Sequence, residues 1–171
     1  MSPELHGHRE RGDEGAPSPV KDLSPEDELD GFIAKYTPEI AARTRAVLAK
    51  MRARLPGAIE LVYDNYNALV IGFGPTERAS DAVFSIAVYP RWVNLFFLRG
   101  ARLPDPRHLL EGTGKTVRRV VVSEPKILDT SAVRTLMEHA LRRAAQPFDP
   151  RQPNRIVIKS ISARQRPRRP V

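Results

Sequence analysis

A chain of 171 residues, 41% of them hydrophobic, is long enough to bury one core and short for two independent enzyme domains. It contains no cysteine, which excludes a disulfide framework, a thiolate metal site and a thiol nucleophile and fits a reducing compartment. Residues 1–30 carry three basic against nine acidic groups, a net −6, and the other 25 Lys/Arg against 11 Asp/Glu put the rest of the chain at +14. A basic body attracts anions such as nucleic acid, phosphates or acidic protein surfaces. No apolar run approaches the roughly 20 residues of a membrane helix, and the start of the chain lacks the apolar centre of a signal peptide, so a soluble cytoplasmic protein is expected.

Residues 1–23 have few large apolar side chains and much Gly, Pro and charge, and are expected to be a disordered arm. Ser24-Pro25-Glu26-Asp27 is a helix start, with a capping hydroxyl, a proline suited to the first helical position and an acid three residues on. A short helix to about Tyr36 follows, and Thr37-Pro38-Glu39 repeats the signal. Ile40, Val47, Leu48, Met51 and Leu55 then recur at helical spacing until Pro56-Gly57 ends the run. Five segments rich in Val, Ile, Phe and Tyr predict strands over 58–63, 68–73, 82–89, 92–99 and 115–122. The links around Asn65 and Pro90 are too short for parallel crossovers, so these strands form an antiparallel meander. Asp129 or Ser131 is expected to cap a helix reaching about Ala145, with Val133, Leu136, Met137, Ala140, Leu141 and Ala144 as one apolar stripe. The segment 155–161 could add an edge strand, and 164–171 reads as a disordered basic tail.

Alternation along the strands sorts them into two faces. Leu69, Ile71 and Phe73 share one face of their strand, and Ala82, Phe84, Ile86 and Val88 share one face of theirs. The opposite parity gives Ala68, Val70 and Gly72, and Val83, Ser85, Ala87 and Tyr89, a set dominated by small side chains. On the fourth strand Trp92, Asn94, Phe96 and Leu98 oppose Val93, Leu95 and Phe97. The second face is expected to be a ligand groove walled by Tyr63, Tyr89 and Trp92 with Arg91 at the rim, or else to pack the C-terminal segment or a homodimer partner.

Gly112-Thr113-Gly114-Lys115-Thr116 ends like a phosphate loop, but that motif needs a glycine where Leu109 stands and a helix where a strand is expected. What is left is a glycine turn beside Lys115, at the same sheet end as Arg99, where backbone N–H groups could cup an anion. His108 and His139 lack partners at ligand spacing, and His6 and His8 lie in the arm. Ser85, Ser123 and Ser160 lack the sequence context of an activated nucleophile. No catalytic residue and no metal ligand is assigned. The body's sequence also lacks the alternation of aromatic and basic residues typical of a single-strand RNA platform.

Several short motifs recur in series: Pro56-Gly57, Glu60 and Tyr63, Tyr89-Pro90, Phe97-Leu98-Arg99-Gly100, and Leu110-Glu111-Gly112-Thr113-Gly114-Lys115, closed by an amphipathic helix. Together they make residues 32–145 resemble the YdhG-like domain family, a bacterial group that includes proposed frataxin-like iron chaperones. The resemblance implies an α+β fold with a curved antiparallel sheet of five to six strands flanked by N-terminal and C-terminal helices, here over 24–146, with 147–163 as an extension. The chain departs from it at Tyr63-Asp64-Asn65-Tyr66, where many members carry Tyr-Gly-Met-Pro.

The leading expectation is a binding protein, not an enzyme, that holds an anionic or amphipathic small molecule or protein. Its ligand-binding residues would be Tyr63, Tyr89, Arg91, Trp92, Asn94, Arg99 and Lys115, without a cofactor and without a membrane. One alternative is iron delivery, for which Glu26, Asp27, Glu28 and Asp30 form the only dense acidic group. Another is a nucleic-acid accessory acting through the basic body and through weak contacts of the Arg-rich tail at Arg164, Arg166, Arg168 and Arg169.

Overall fold

A computed structural model describes residues 22–171, so most of the expected N-terminal arm, with His6 and His8, lies outside the described residues. Two helices open the chain, α1 (Pro25–Ala34) and α2 (Pro38–Arg54). Five strands follow, β1 (Ile59–Asp64), β2 (Leu69–Gly74), β3 (Phe84–Val88), β4 (Val93–Phe97) and β5 (Arg118–Val121), then α3 (Ser131–Arg142) and β6 (Arg155–Ile161). The first two helices start as their sequences dictate: Ser24 Oγ accepts from Asp27 N at 3.1 Å and Thr37 Oγ1 from Ile40 N at 3.3 Å. The cap of α3 is neither Asp129 nor Ser131 but Thr130 between them. Asp129 is drawn instead to α2, where Lys50 Nζ and Arg54 Nη2 each reach its carboxylate at 2.6 Å.

The strands form one six-stranded sheet in the order β5-β4-β3-β2-β1-β6. The first five are an antiparallel meander, as the short links require, but the sheet is not antiparallel throughout: β6 lies parallel to β1. The reason is where the chain re-enters the sheet. Asn154 accepts from Gly57 N at 2.9 Å and donates to Leu55 O at 3.3 Å, and Arg155 N donates to Ala58 O, so β6 begins beside the start of β1. Gly57 has φ +83°, and a Cβ there would sit 1.8 Å from Asp149 O, so only glycine fits this junction.

Cross-strand register divides the sheet residues by face. Val62, Ile71, Ile86, Leu95 and Val120 form one row, and Phe73, Phe84 and Phe97 lie in the next. These residues are buried with Ile33, Val47, Met51, Val133 and Leu136 of the helices in one core. Phe84 and Phe97 meet edge to face at 5.4 Å. The other face carries the rows Tyr63, Val70, Ala87, Asn94, Val121 and Leu61, Gly72, Ser85, Phe96, Arg119. No residue of the second pair of rows belongs to the helix-packed core cluster.

The stretch 164–171, expected to be unfolded, is tied into the body. Arg168 is 5% exposed; its Nη2 donates to Asp64 Oδ1 at 2.8 Å and to Asn65 O. Lys35 Nζ holds the other Asp64 oxygen at 2.8 Å, and Gln165 Nε2 donates to Asp64 O. The arginine pattern reads as a solvated tail because a buried carboxylate partner 104 residues away leaves no trace in local composition. Arg168 also lies 5.8 Å from the ring of Tyr36, whose hydroxyl donates to Val88 O and accepts from Leu69 N. Burial pushes the Tyr36 hydroxyl up to about 12. Burial also pushes the Asp64 carboxyl up, but hydrogen bonds from Lys35 and Arg168 outweigh it and hold the group below its ordinary value.

Removing one member of a buried ion pair typically costs about 3–5 kcal/mol; since Lys35 stays in place, Arg168→Ala should lose about 3 kcal/mol in denaturant unfolding at pH 7. Because the folded-state Asp64 value is depressed, its contribution is present above the unfolded value of about 4 and is lost as pH falls through the folded one. The gap between wild type and Arg168→Ala should therefore close in acid. A pH-independent gap contradicts the pairing.

Candidate functional site

The helices cover one face of the sheet, and the other carries a shallow depression of about 450 Å³ lined by Tyr89, Trp92, Asn94, Phe96, Arg119 and Val121. All six come from β4, β5 or the turn between β3 and β4. The register explains the gathering: Asn94 pairs with Val121 and Phe96 with Arg119, so both pairs point outward together. The hairpin closes through Tyr89 N donating to Trp92 O at 2.9 Å, which leaves the two rings tilted at 38° with centroids 5.8 Å apart. Trp92 remains 48% exposed and Val121 41%, large values for side chains this apolar. Ser85 and Ala87 lie beside this patch, buried and small.

Asn94 is the polar centre of the patch. It is 6% exposed, yet its Oδ1 has no hydrogen-bond partner among the described residues. A buried acceptor without a partner costs about 1–3 kcal/mol, so the position is held against stability. Arg119 supplies the charge at the rim; its side chain is 41% exposed and Glu111 Oε2 lies 3.7 Å from its Nε. Backbone hydrogen bonds in both directions between Glu111 and Arg119 also cover the outer edge of β5.

The expected ligand residues divide into separate places. Tyr89, Trp92 and Asn94 come together. Tyr63 shares their face and lies in the row of Asn94, but Val70 and Ala87 stand between, about 14 Å of sheet at about 4.8 Å per strand. Arg91 is exposed in the turn between β3 and β4. Arg99 is at the opposite end of β4, where it lines another cavity, and Lys115 is exposed on the β4–β5 connection and lines neither. In the glycine turn beside Lys115, Arg118 Nη1 donates to Gly114 O and Val117 O. Phe96 shares the parity of Trp92 and Asn94, which its sequence already shows. Arg119 and Val121 join the site only through the β4–β5 register, which the long connection hides from sequence.

The fold adds basic groups at the aromatic end. Antiparallel connectivity places the β1–β2 and β3–β4 hairpins at the same end of the sheet, so the half-exposed Tyr66 and Trp92 share that end. The C-terminal stretch passes there, with the Arg166 guanidinium 5.6 Å from the Tyr66 ring and Arg169 Nε donating to Lys35 O. Arg164, Arg166 and Arg169 are exposed.

Two of the four acids considered for iron are paired with arginines: Glu26 with Arg52 at 3.0 Å and Asp30 with Arg45 at 3.0 Å. Arg52 also grips the buried Glu60 at 2.8 and 2.9 Å, while burial pushes the Glu60 carboxyl up. Among the described residues no three His, Asp or Glu side chains are grouped to hold a metal ion, and no helix is long and apolar enough to cross a membrane. No family model, curated protein or solved structure matches the chain.

Asn94→Val removes the unpartnered acceptor and adds a β-branched side chain in a strand, so it should raise unfolding stability by about 1 kcal/mol. Denaturant titration checks this. A loss of similar size would mean that Asn94 makes a bond the free protein needs.

Proposed function

We propose that this chain is a binding protein that holds single-stranded nucleic acid across the open face of its sheet and the aromatic end beside it. The observation that carries the reading is the nearly buried, unpartnered Asn94 amide in an uncovered patch walled by Tyr89, Trp92 and Phe96, with Arg119 at its rim. Exposed aromatic faces accept unpaired bases by stacking, at about 1–3 kcal/mol per base, and are tolerant of sequence. The Asn94 amide is the polar group on the floor of the patch, where a base edge could meet it. Arg91 and Arg119, with Arg164, Arg166 and Arg169 at the same end as Tyr66, supply guanidiniums for the phosphates. The interleaving of rings and cations that the linear sequence lacks is thus assembled from two hairpins and the C-terminal stretch. Membership of the YdhG-like family is part of the same proposal and rests on the motif series alone.

Trp92 is the only tryptophan of the chain, so its emission reports on this surface directly. Titration with a 12-nucleotide oligothymidylate should quench Trp92, and Tyr89→Ala should weaken binding about 10-fold, the equivalent of one lost stacking partner. Arg119→Ala should flatten the dependence of log affinity on log salt by about 0.7, the share of one phosphate on a single strand. Binding without any change in Trp92 emission, or affinity unaltered in Tyr89→Ala, would refute the surface.

A further inference from the structure

At the other end of β3 and β4 from the aromatic hairpin is a cavity of about 370 Å³, between the sheet and the last turn of α3. Its inner wall is apolar, made by Val83, Phe97, Leu103 and Ala140. Three guanidiniums, Arg99, Arg102 and Arg143, stand on its lining against a single carboxylate, Asp81. Asp81 is already engaged, accepting from Thr76 Oγ1 at 2.6 Å. Arg143 Nη1 donates to Arg102 O. Among the described residues no carboxylate lies within ion-pair distance of Arg99, Arg102 or Arg143, although twelve other Arg or Lys side chains are so paired.

Three like charges at one opening repel one another, and an apolar hollow behind them gains nothing from water. A ligand that relieves both has an anionic head and a hydrocarbon body. Guanidinium forks match carboxylate and phosphate oxygens in bidentate geometry, and an apolar wall of this size takes a short chain or a single ring. We infer that this cavity is a second binding site, for a small amphipathic anion, with Arg99, Arg102 and Arg143 holding the head and Val83, Phe97, Leu103 and Ala140 packing the tail. It is separate from the open-face patch: about five residues of β4, roughly 17 Å, lie between Trp92 and Arg99. The two sites share no lining residue.

Calorimetric titration of the full chain with octanoate and octyl phosphate tests the site, with octanol and acetate as the tail and the head alone. Saturable binding of at least one amphiphile is expected, with octanol and acetate each at least about 10-fold weaker, since both halves contribute. The double substitution Arg99→Glu/Arg102→Glu changes exposed side chains only and should leave the unfolding temperature unchanged while cutting affinity at least about 10-fold. Trp92→Ala should leave amphiphile binding intact, which separates this site from the nucleic-acid surface. No saturable binding tighter than about 1 mM, equal binding of octanol or acetate, or full affinity in the charge-reversed variant would each overturn the site.

Discussion

The structure depends on the period of two that a β-strand imposes on its side chains, set against a supply of helices sufficient for one side of the sheet. Every strand of the meander must send alternate residues to opposite faces, and α1, α2 and α3 bury only the face that carries Val62, Ile71, Ile86 and Leu95. A sheet covered on one side needs small or amphipathic residues on the other if it is to remain in water. Gly72, Ser85 and Ala87 are small and buried in the middle strands, whereas Trp92 and Val121 toward the β5 edge stay exposed. That imbalance localises the candidate surface to one side and one end of the sheet.

A second constraint orders the C-terminal stretch. Asp64 ends β1 on the helix-covered face with its side chain 1% exposed, and a buried carboxylate is costly without partners. Lys35 from the end of α1 and Arg168 from the end of the chain converge on it, with Arg168 also over the Tyr36 ring. The knot joins the helical layer, the first hairpin and the last residues, and in doing so presents Arg164, Arg166 and Arg169 from a fixed base beside Tyr66. Charge that reads in the sequence as a tail becomes part of a surface.

Much of the fold was legible because its signals are local. Ser24-Pro25 and Thr37-Pro38 start helices through hydroxyl caps and a preset φ, and the short links around Asn65 and Pro90 leave only hairpins. The face assignment of β2 and β3 follows from alternation alone. The direction of β6 was not legible, because it is set by Asn154 reaching Gly57 and Leu55 across the molecule. Nor was the role of Arg168, whose partner is brought to it by folding. Among the candidate residues, Tyr89, Trp92 and Asn94 could be grouped from strand parity and a tight turn. Arg99 and Lys115 were correctly set at one end of the sheet, but sequence could not show that only Arg99 faces a cavity, since that depends on where the last turn of α3 settles.

The open-face surface proposed here follows from one division: helices against one face, and a second face left to aromatic side chains and one unpartnered amide. Paramagnetic relaxation by a soluble gadolinium chelate tests that division most directly in the free protein. The account predicts strong relaxation of the Trp92 indole and the Val121 methyls alongside protected methyls of Ile86 and Leu95. Equal protection of all four side chains would contradict it.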